Sequence, residues 1–254
     1  MEHISCAMSR RSFVRNVMVQ AAALGTARYA RSAATRKRPN VLLILSDDQG
    51  TLDLNCYGSK DLHTPNLDEL ARRGTRFTQF YTGAPLCSPS RGSLLTGRYC
   101  NHNGVPTNRH SLNSDEITIA EMLKPWGYRT ALIGKWHLGT EPGPTGEGFD
   151  YFFGFLNGCI ENYNHDTIVW NTGDYKAHDL WRNKTPVYEY NTHFGKLIVR
   201  EVNSFLDRHG DEPFFLYVPF NNPHYPLQPL PHWLEHYAEL PEPRRSYAAF
   251  VSTL

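Results

Sequence analysis

The chain has 254 residues and a formal net charge of +1, a length at the upper end for a single α/β domain. Near-neutrality removes the electrostatic basis for nucleic acid or an anionic membrane as the main partner, and no apolar run has the length for stable membrane insertion. Five cysteines (Cys6, Cys56, Cys87, Cys100 and Cys159) form no C-x-x-C pair, which disfavours a zinc knuckle or thioredoxin-type motif and leaves one or two disulfides open.

The first segment reads as an address. "SRRSFVR" (9–15) precedes a short apolar run, "NVMVQAAALGTA", and then "RYARSAATRKR". Adjacent arginines before a modest apolar stretch resemble a bacterial twin-arginine export signal, with cleavage after "SAA" near Ala34. A basic disordered tail is the alternative. The export reading assigns residues 1–34 to the signal and predicts a periplasmic or secreted protein.

"PNVLLILSDDQG" opens the folded part. Its continuous apolar run, 41–45, predicts a parallel strand buried on both faces. Asp47 and Asp48 follow at its carboxyl end, the edge where open α/β sheets bind ligands. "HTPNLDELARRG" predicts a helix capped by Thr64, with Pro65 in the first turn and Gly74 at the stop. "RFTQFY" reads as a short strand. In "CSPSRGSLLTGR", Ser88 is expected at the N-cap and Pro89 in the first turn, which leaves Cys87 just outside a helix mouth.

A helix through Ile119 and Leu123 stops near Pro125, and a strand from about 129 to 133 delivers Lys135 and His137 into a loop. Residues 140–191, rich in Gly, Asn, Tyr and Asp, read as a long excursion over a site. A helix carrying Leu197, Ile198, Val202, Phe205 and Leu206 ends at Gly210. The strand 214–218 then presents Asn221, Asn222 and His224. Three apolar strands that each end in polar residues predict one α/β sheet gathering those residues at its edge. "RRSYAAFVSTL" reads as an apolar helix with no stop signal.

Adjacent carboxylates past a buried strand repel unless a cation neutralises them, and oxygen donors favour a hard ion such as calcium or magnesium. The same "DDQG" would also make a solvated turn. Cys87 at a helix mouth, with Arg91 about a turn on, reads either as a nucleophile beside an oxyanion seat or as an inert thiol in a cap.

Four motifs in order decide between these. "CSPSRGSLLTGR" resembles the type I sulfatase signature, "PNVLLILSDDQG" that family's first metal segment, "GKWHLG" its lysine–histidine segment and "NNPHYP" its later histidine loop. "GFDYFFGFLNG" is most similar to the arylsulfatase B-like branch. The resemblance implies an alkaline-phosphatase-like, mixed but mainly parallel sheet flanked by helices, with residues 35–254 as the N-terminal part of the catalytic domain.

It also implies that Cys87 is converted by a formylglycine-generating enzyme to formylglycine, whose hydrate attacks sulfur and leaves a sulfated diol that expels sulfate as the aldehyde re-forms. Asp47, Asp48 and residue 87 would bind Ca2+ in preference to Mg2+. Arg91 would steady the formylglycine, Lys135 would contact the sulfate, His137 would hold or deprotonate the diol, and His224 would stand beside the leaving oxygen. The implied substrate is a sulfated saccharide or an aryl sulfate. Phosphonate or phosphate ester hydrolysis with the same nucleophile, and a non-catalytic truncated chain, are the competing readings. The family's remaining metal ligands and second lysine come later than His224 and are not found, so weak or absent activity is expected of this sequence alone.

Overall fold

The computed structural model describes residues 38–168 and 175–254; the segment read as an export signal lies outside them. The strands are β1 (Val41–Leu45), β2 (Arg129–Lys135), β3 (Tyr151–Phe155), β4 (Asp166–Ile168), β5 (Tyr175–His178), β6 (Trp181–Arg182), β7 (Thr185–Pro186) and β8 (Phe214–Pro219). Six of them form one sheet in the order β1-β8-β2-β3-β6-β7, and β4 pairs with β5 apart from it. Pairings among β1, β8, β2 and β3 are parallel, while β6 and β7 add an antiparallel margin. Parallel pairing brings the carboxyl ends of β1, β2 and β8 to one edge, as their polar tails predicted.

Alternation along the central strands divides the core between two faces. Ala131 and Ile133 of β2, with Phe214, Leu216 and Val218 of β8, pack towards α4 (Phe194–His209) through Leu197, Ile198 and Phe205. Leu132, Phe215 and Tyr217 point the other way, into a cluster with Leu95, Ala120 and Phe149. That second face is covered by α2 (Cys87–Thr96) and α3 (Ile119–Leu123). Thr118 and Glu121 close a reciprocal capping box at the start of α3, a device legible in the "TIAE" spacing. The remaining helices are α1 (Pro65–Arg73), α5 (Pro231–His236) and α6 (Arg244–Val251); α6 buries Ala248, Ala249 and Phe250.

Three expectations need correction. β1 is not buried on both faces: among the described residues it is an edge strand paired only with β8, and Leu42 and Ile44 are 50% and 48% exposed. Its apolar run therefore mimicked a central strand. "RFTQFY" forms no strand, and Phe77, Phe80 and Tyr81 stand in solvent. The 140–191 excursion contains β3, a full member of the central sheet.

β2 and β3 approach so closely at Gly134 and Gly154 that only glycine fits. The two are register partners at φ 140 and 152. A Cβ on Gly154 would run into the Gly134 carbonyl, and one on Gly134 into the Pro219 carbonyl.

Glu147 ends a 3-10 turn against α3 and is 5% exposed. Burial, with Glu121 nearby, raises its carboxyl from 4.5 to about 7. The folded state thus keeps a proton that the unfolded chain releases, so stability falls as pH rises between these values. Glu147→Gln removes that dependence. Chemical denaturation should find the variant more stable than wild type by on the order of 1 kcal/mol at about pH 8, converging towards pH 4.

Candidate active site

The site is built on a buried carboxylate. Asp47 follows β1, is 4% exposed, and receives the Lys135 ammonium on Oδ2 at 2.6 Å and the Arg91 guanidinium on Oδ1 at 3.2 Å. Lys135 closes β2 and Arg91 sits in the second turn of α2, so the contact ties strand to strand to helix. Arg91 also donates to the Lys135 carbonyl at 3.1 Å and to the Tyr217 hydroxyl at 3.4 Å. The Asp47 amide donates to the Asn222 carbonyl at 2.8 Å and Phe220 N–H to Leu45 at 2.8 Å, which fixes the loop after β8 against that after β1. Burial alone would raise the Asp47 carboxyl; the charges of Lys135, Arg91 and His224 overcome it and hold the group at about 2.

Cys87 is the first residue of α2, with Leu86 as N-cap. The helix begins two residues earlier than Ser88 capping would give. Ser88 is instead buried in the first turn, where its N–H is met by the Asn108 side chain at 3.0 Å. The Cys87 sulfur, an Asp47 oxygen and a His224 nitrogen all lie within 4.8 Å of one another. Burial, the largest influence, and the two aspartates push the Cys87 thiol up despite Lys135 and Arg91. The unmodified thiol is therefore a weak nucleophile near neutral pH. Cys56, Cys87, Cys100 and Cys159 are all free thiols.

Asp48 turns outwards, its Oδ2 3.6 Å from His224 Nε2. His224 is held through Nδ1 by the Tyr225 carbonyl at 2.6 Å. His137 N–H donates to the Leu156 carbonyl at 3.1 Å, and Gly158 packs against its ring so closely that a Cβ there would stand 2.9 Å from it. Burial, then Lys135 and Arg91, lower the His137 imidazole to about 3. Its Nδ1 is buried without a hydrogen-bond partner, as is Arg91 Nε. Asp48 and His137 both take left-handed backbone conformations, φ 62 and 58, which are uncommon for non-glycine residues and concentrate at functional sites.

Cys87, His137, His224 and Asp48 open onto a cavity of about 980 Å³, whereas Lys135 and Arg91 lie beneath it. All seven residues singled out in the sequence thus converge. Two supporting residues were not anticipated. Tyr217 was hidden within an apolar strand. Asp179 accepts from Leu156 N, Asn157 N, the Asn157 side chain and Trp181 Nε1 at 2.8 to 3.1 Å, and so pins the loop beside His137. A lone aspartate in a polar stretch carries no signal of that role.

A cysteine at a helix mouth thus stands above two buried cations and beside two aspartates and two histidines. The Sulfatase family profile matches residues 39–253. Arylsulfatase J of Mus musculus is 36% identical over 234 residues, covering 87% of this chain and 38% of that protein. The N-acetylglucosamine-6-O-sulfatase of Bacteroides thetaiotaomicron is 33% identical over 198 residues, 78% of this chain and 33% of that protein. The crystal structure of Ps i-CgsB in complex with k-i-k-neocarrahexaose superposes with a TM-score of 0.78 at 32% identity, over 85% of this chain and 52% of that chain. The chain belongs to the sulfatase family and has its alkaline-phosphatase-like fold; it spans about a third to a half of the length of these relatives.

Truncating the charge that holds the centre should be costly. Asp47→Asn leaves Lys135 and Arg91 buried without their counter-ion and should destabilise the fold by about 3 kcal/mol. Combining it with Lys135→Met should recover part of that loss. Denaturant titration of the three proteins checks both, and an unchanged midpoint for Asp47→Asn would contradict the role given to the carboxylate.

Proposed function

We propose that this chain provides the nucleophile and much of the active site of an enzyme that hydrolyses sulfate monoesters, with a sulfated saccharide or an aryl sulfate as substrate. The observation that carries the reading is the approach of Cys87, Asp47 and His224 to within 4.8 Å above the buried Lys135 and Arg91. The relatives support it: one is named as an N-acetylglucosamine-6-O-sulfatase and another as an arylsulfatase.

Cys87 is read as the precursor of formylglycine, installed by a formylglycine-generating enzyme. The modified side chain supplies, as its hydrate, one hydroxyl to attack sulfur and a second through which sulfate is released. The high position of the thiol fits this better than direct thiolate attack. Asp47, Asp48 and an oxygen at residue 87 are the donors assigned to a metal, and oxygen donors suit Ca2+ better than a soft metal. Three donors fill only part of a calcium shell. Bound calcium would polarise a sulfate oxygen and a hydroxyl of residue 87.

The chain's other residues then have distinct tasks. Lys135 and Arg91 oppose two fixed cations to one buried carboxylate, and the surplus positive charge favours an incoming anion. His137, held neutral and with Nδ1 unpartnered, is placed to accept a proton at residue 87. His224 has Nδ1 turned to the Tyr225 carbonyl, which directs Nε2 at the leaving oxygen. The twin-arginine-like segment supports export to the periplasm or beyond.

Coexpression with a formylglycine-generating enzyme tests the reading. Intact mass should show residue 87 losing sulfur and two hydrogens and gaining oxygen. Where 4-nitrophenyl sulfate is turned over, Cys87→Ala should lower the rate by roughly 10³-fold or more. Equal turnover by Cys87→Ala would overturn the assignment, and faster cleavage of a phosphonate monoester would move the chemistry from sulfur to phosphorus.

A further inference from the structure

His224 rides on a segment fastened at both ends. Asn221 precedes it by three residues and Gln228 follows it by four. Both side chains are bonded to the loop between β3 and β4, through Asn162. Asn221 also takes the His224 amide on its carbonyl at 2.9 Å. On the loop side stand Glu161 and Asn162, 6% and 0% exposed. A carboxylate so deeply placed, with no part in the chemistry above it, needs an account.

The chemistry of these groups leaves one direction for every bond. A carboxylate only accepts. Glu161 Oε2 receives the Tyr163 amide at 2.9 Å and the Asn164 amide, and its Oε1 receives the Gln228 side-chain NH2. Gln228 Oε1 is thereby turned to Asn162, where it accepts from the backbone N–H at 2.8 Å and from Nδ2 at 3.2 Å. Asn162 Oδ1 is left to accept from Asn221 Nδ2 at 2.9 Å. Gln228, Asn162 and Asn221 therefore point their NH2 groups towards Glu161 in series. A separate tie holds the Gln228 backbone. Buried His193 accepts from Gly195 N–H through Nδ1 at 3.1 Å, so Nε2 carries the proton that it donates to the Gln228 carbonyl at 2.9 Å.

We propose that Glu161 is a positioning residue for His224: by setting the direction of the Gln228–Asn162–Asn221 series it clamps the 221–228 segment and holds the imidazole with Nε2 towards the leaving oxygen. The task given to His224 rests on the sulfatase reading; the clamp rests on the bonds alone.

Glu161→Gln tests the direction. Its oxygen can still serve the two backbone amides, but its NH2 then confronts the NH2 of Gln228. A flip of Gln228 only moves the conflict to the Asn162 donors. Adding Gln228→Glu removes it, because the new amide donates to the new carboxylate, whose second oxygen serves Asn162. Side-chain 1H–15N spectra, with His224 assigned from His224→Ala, should show its imidazole signals displaced in Glu161→Gln and returned towards wild type in the double variant. In protein coexpressed with a formylglycine-generating enzyme, Glu161→Gln should slow phenyl sulfate about 10-fold more than 4-nitrophenyl sulfate, since the more basic phenoxide depends more on a proton from His224. The double variant should close that gap. Unmoved His224 signals in the single variant, a double variant no nearer wild type in folding or in spectrum than the single one, or equal slowing of both esters overturns the role given to Glu161. Wild type inert towards both esters, with the His224 signals displaced and recovered as stated, counts against the sulfatase reading and keeps the clamp.

Discussion

The arrangement of the site depends on one buried carboxylate shared by two cations. Asp47, Lys135 and Arg91 come from the ends of two strands and the second turn of a helix, and removing one of them leaves a buried charge uncompensated. The contact therefore does the work of a structural staple. It also leaves an imbalance, since two positive groups face one negative group beneath a cavity floor. Helix α2 adds the positive end of its dipole at the same point. A centre of this kind is attractive to an anion before any metal or modification is considered.

Backbone geometry directs the groups above that floor. Asp48 and His137 lie just beyond β1 and β2, and each has a left-handed conformation that costs about 1 kcal/mol or more. An ordinary extended continuation would carry them away from residue 87. The cost is borne by surrounding contacts: the Leu156 carbonyl for His137, and the Asp47–Asn222 backbone bond for the turn into Asp48. The loop after β3 supports His137 only because Asp179 gathers its amides, so a residue far from the chemistry in sequence belongs to the same assembly.

Much of this could be read from the chain itself. Apolar runs ending in "SDDQG", "GKWHLG" and "NNPHYP" announced strand ends, and parallel pairing did the rest. What failed has physical causes. Residues 41–45 are apolar because of what a strand needs on one face and along its paired edge, and apolarity does not report whether the other side is covered. Tyr151–Phe155 was lost in a stretch whose neighbours are turn residues, although four aromatic strand formers around a glycine at the close approach were there to see. The start of α2 lies two residues before the expected one, and the Ser88 amide there meets the Asn108 side chain, a partner twenty positions away that local capping rules do not include. Tyr217 and Asp179 act through tertiary hydrogen bonds, which leave no periodic trace.

β1 carries a further consequence. It is the outermost strand of the sheet among the described residues, yet Asp47 and Asp48 follow its carboxyl end. Its backbone N–H and C=O groups on the side away from β8 form a ready ladder for another strand. Whatever docks there would touch a segment only two residues from Asp47, so lateral growth of the sheet and the tuning of the reaction centre are mechanically linked: stiffening one margin would stiffen the other.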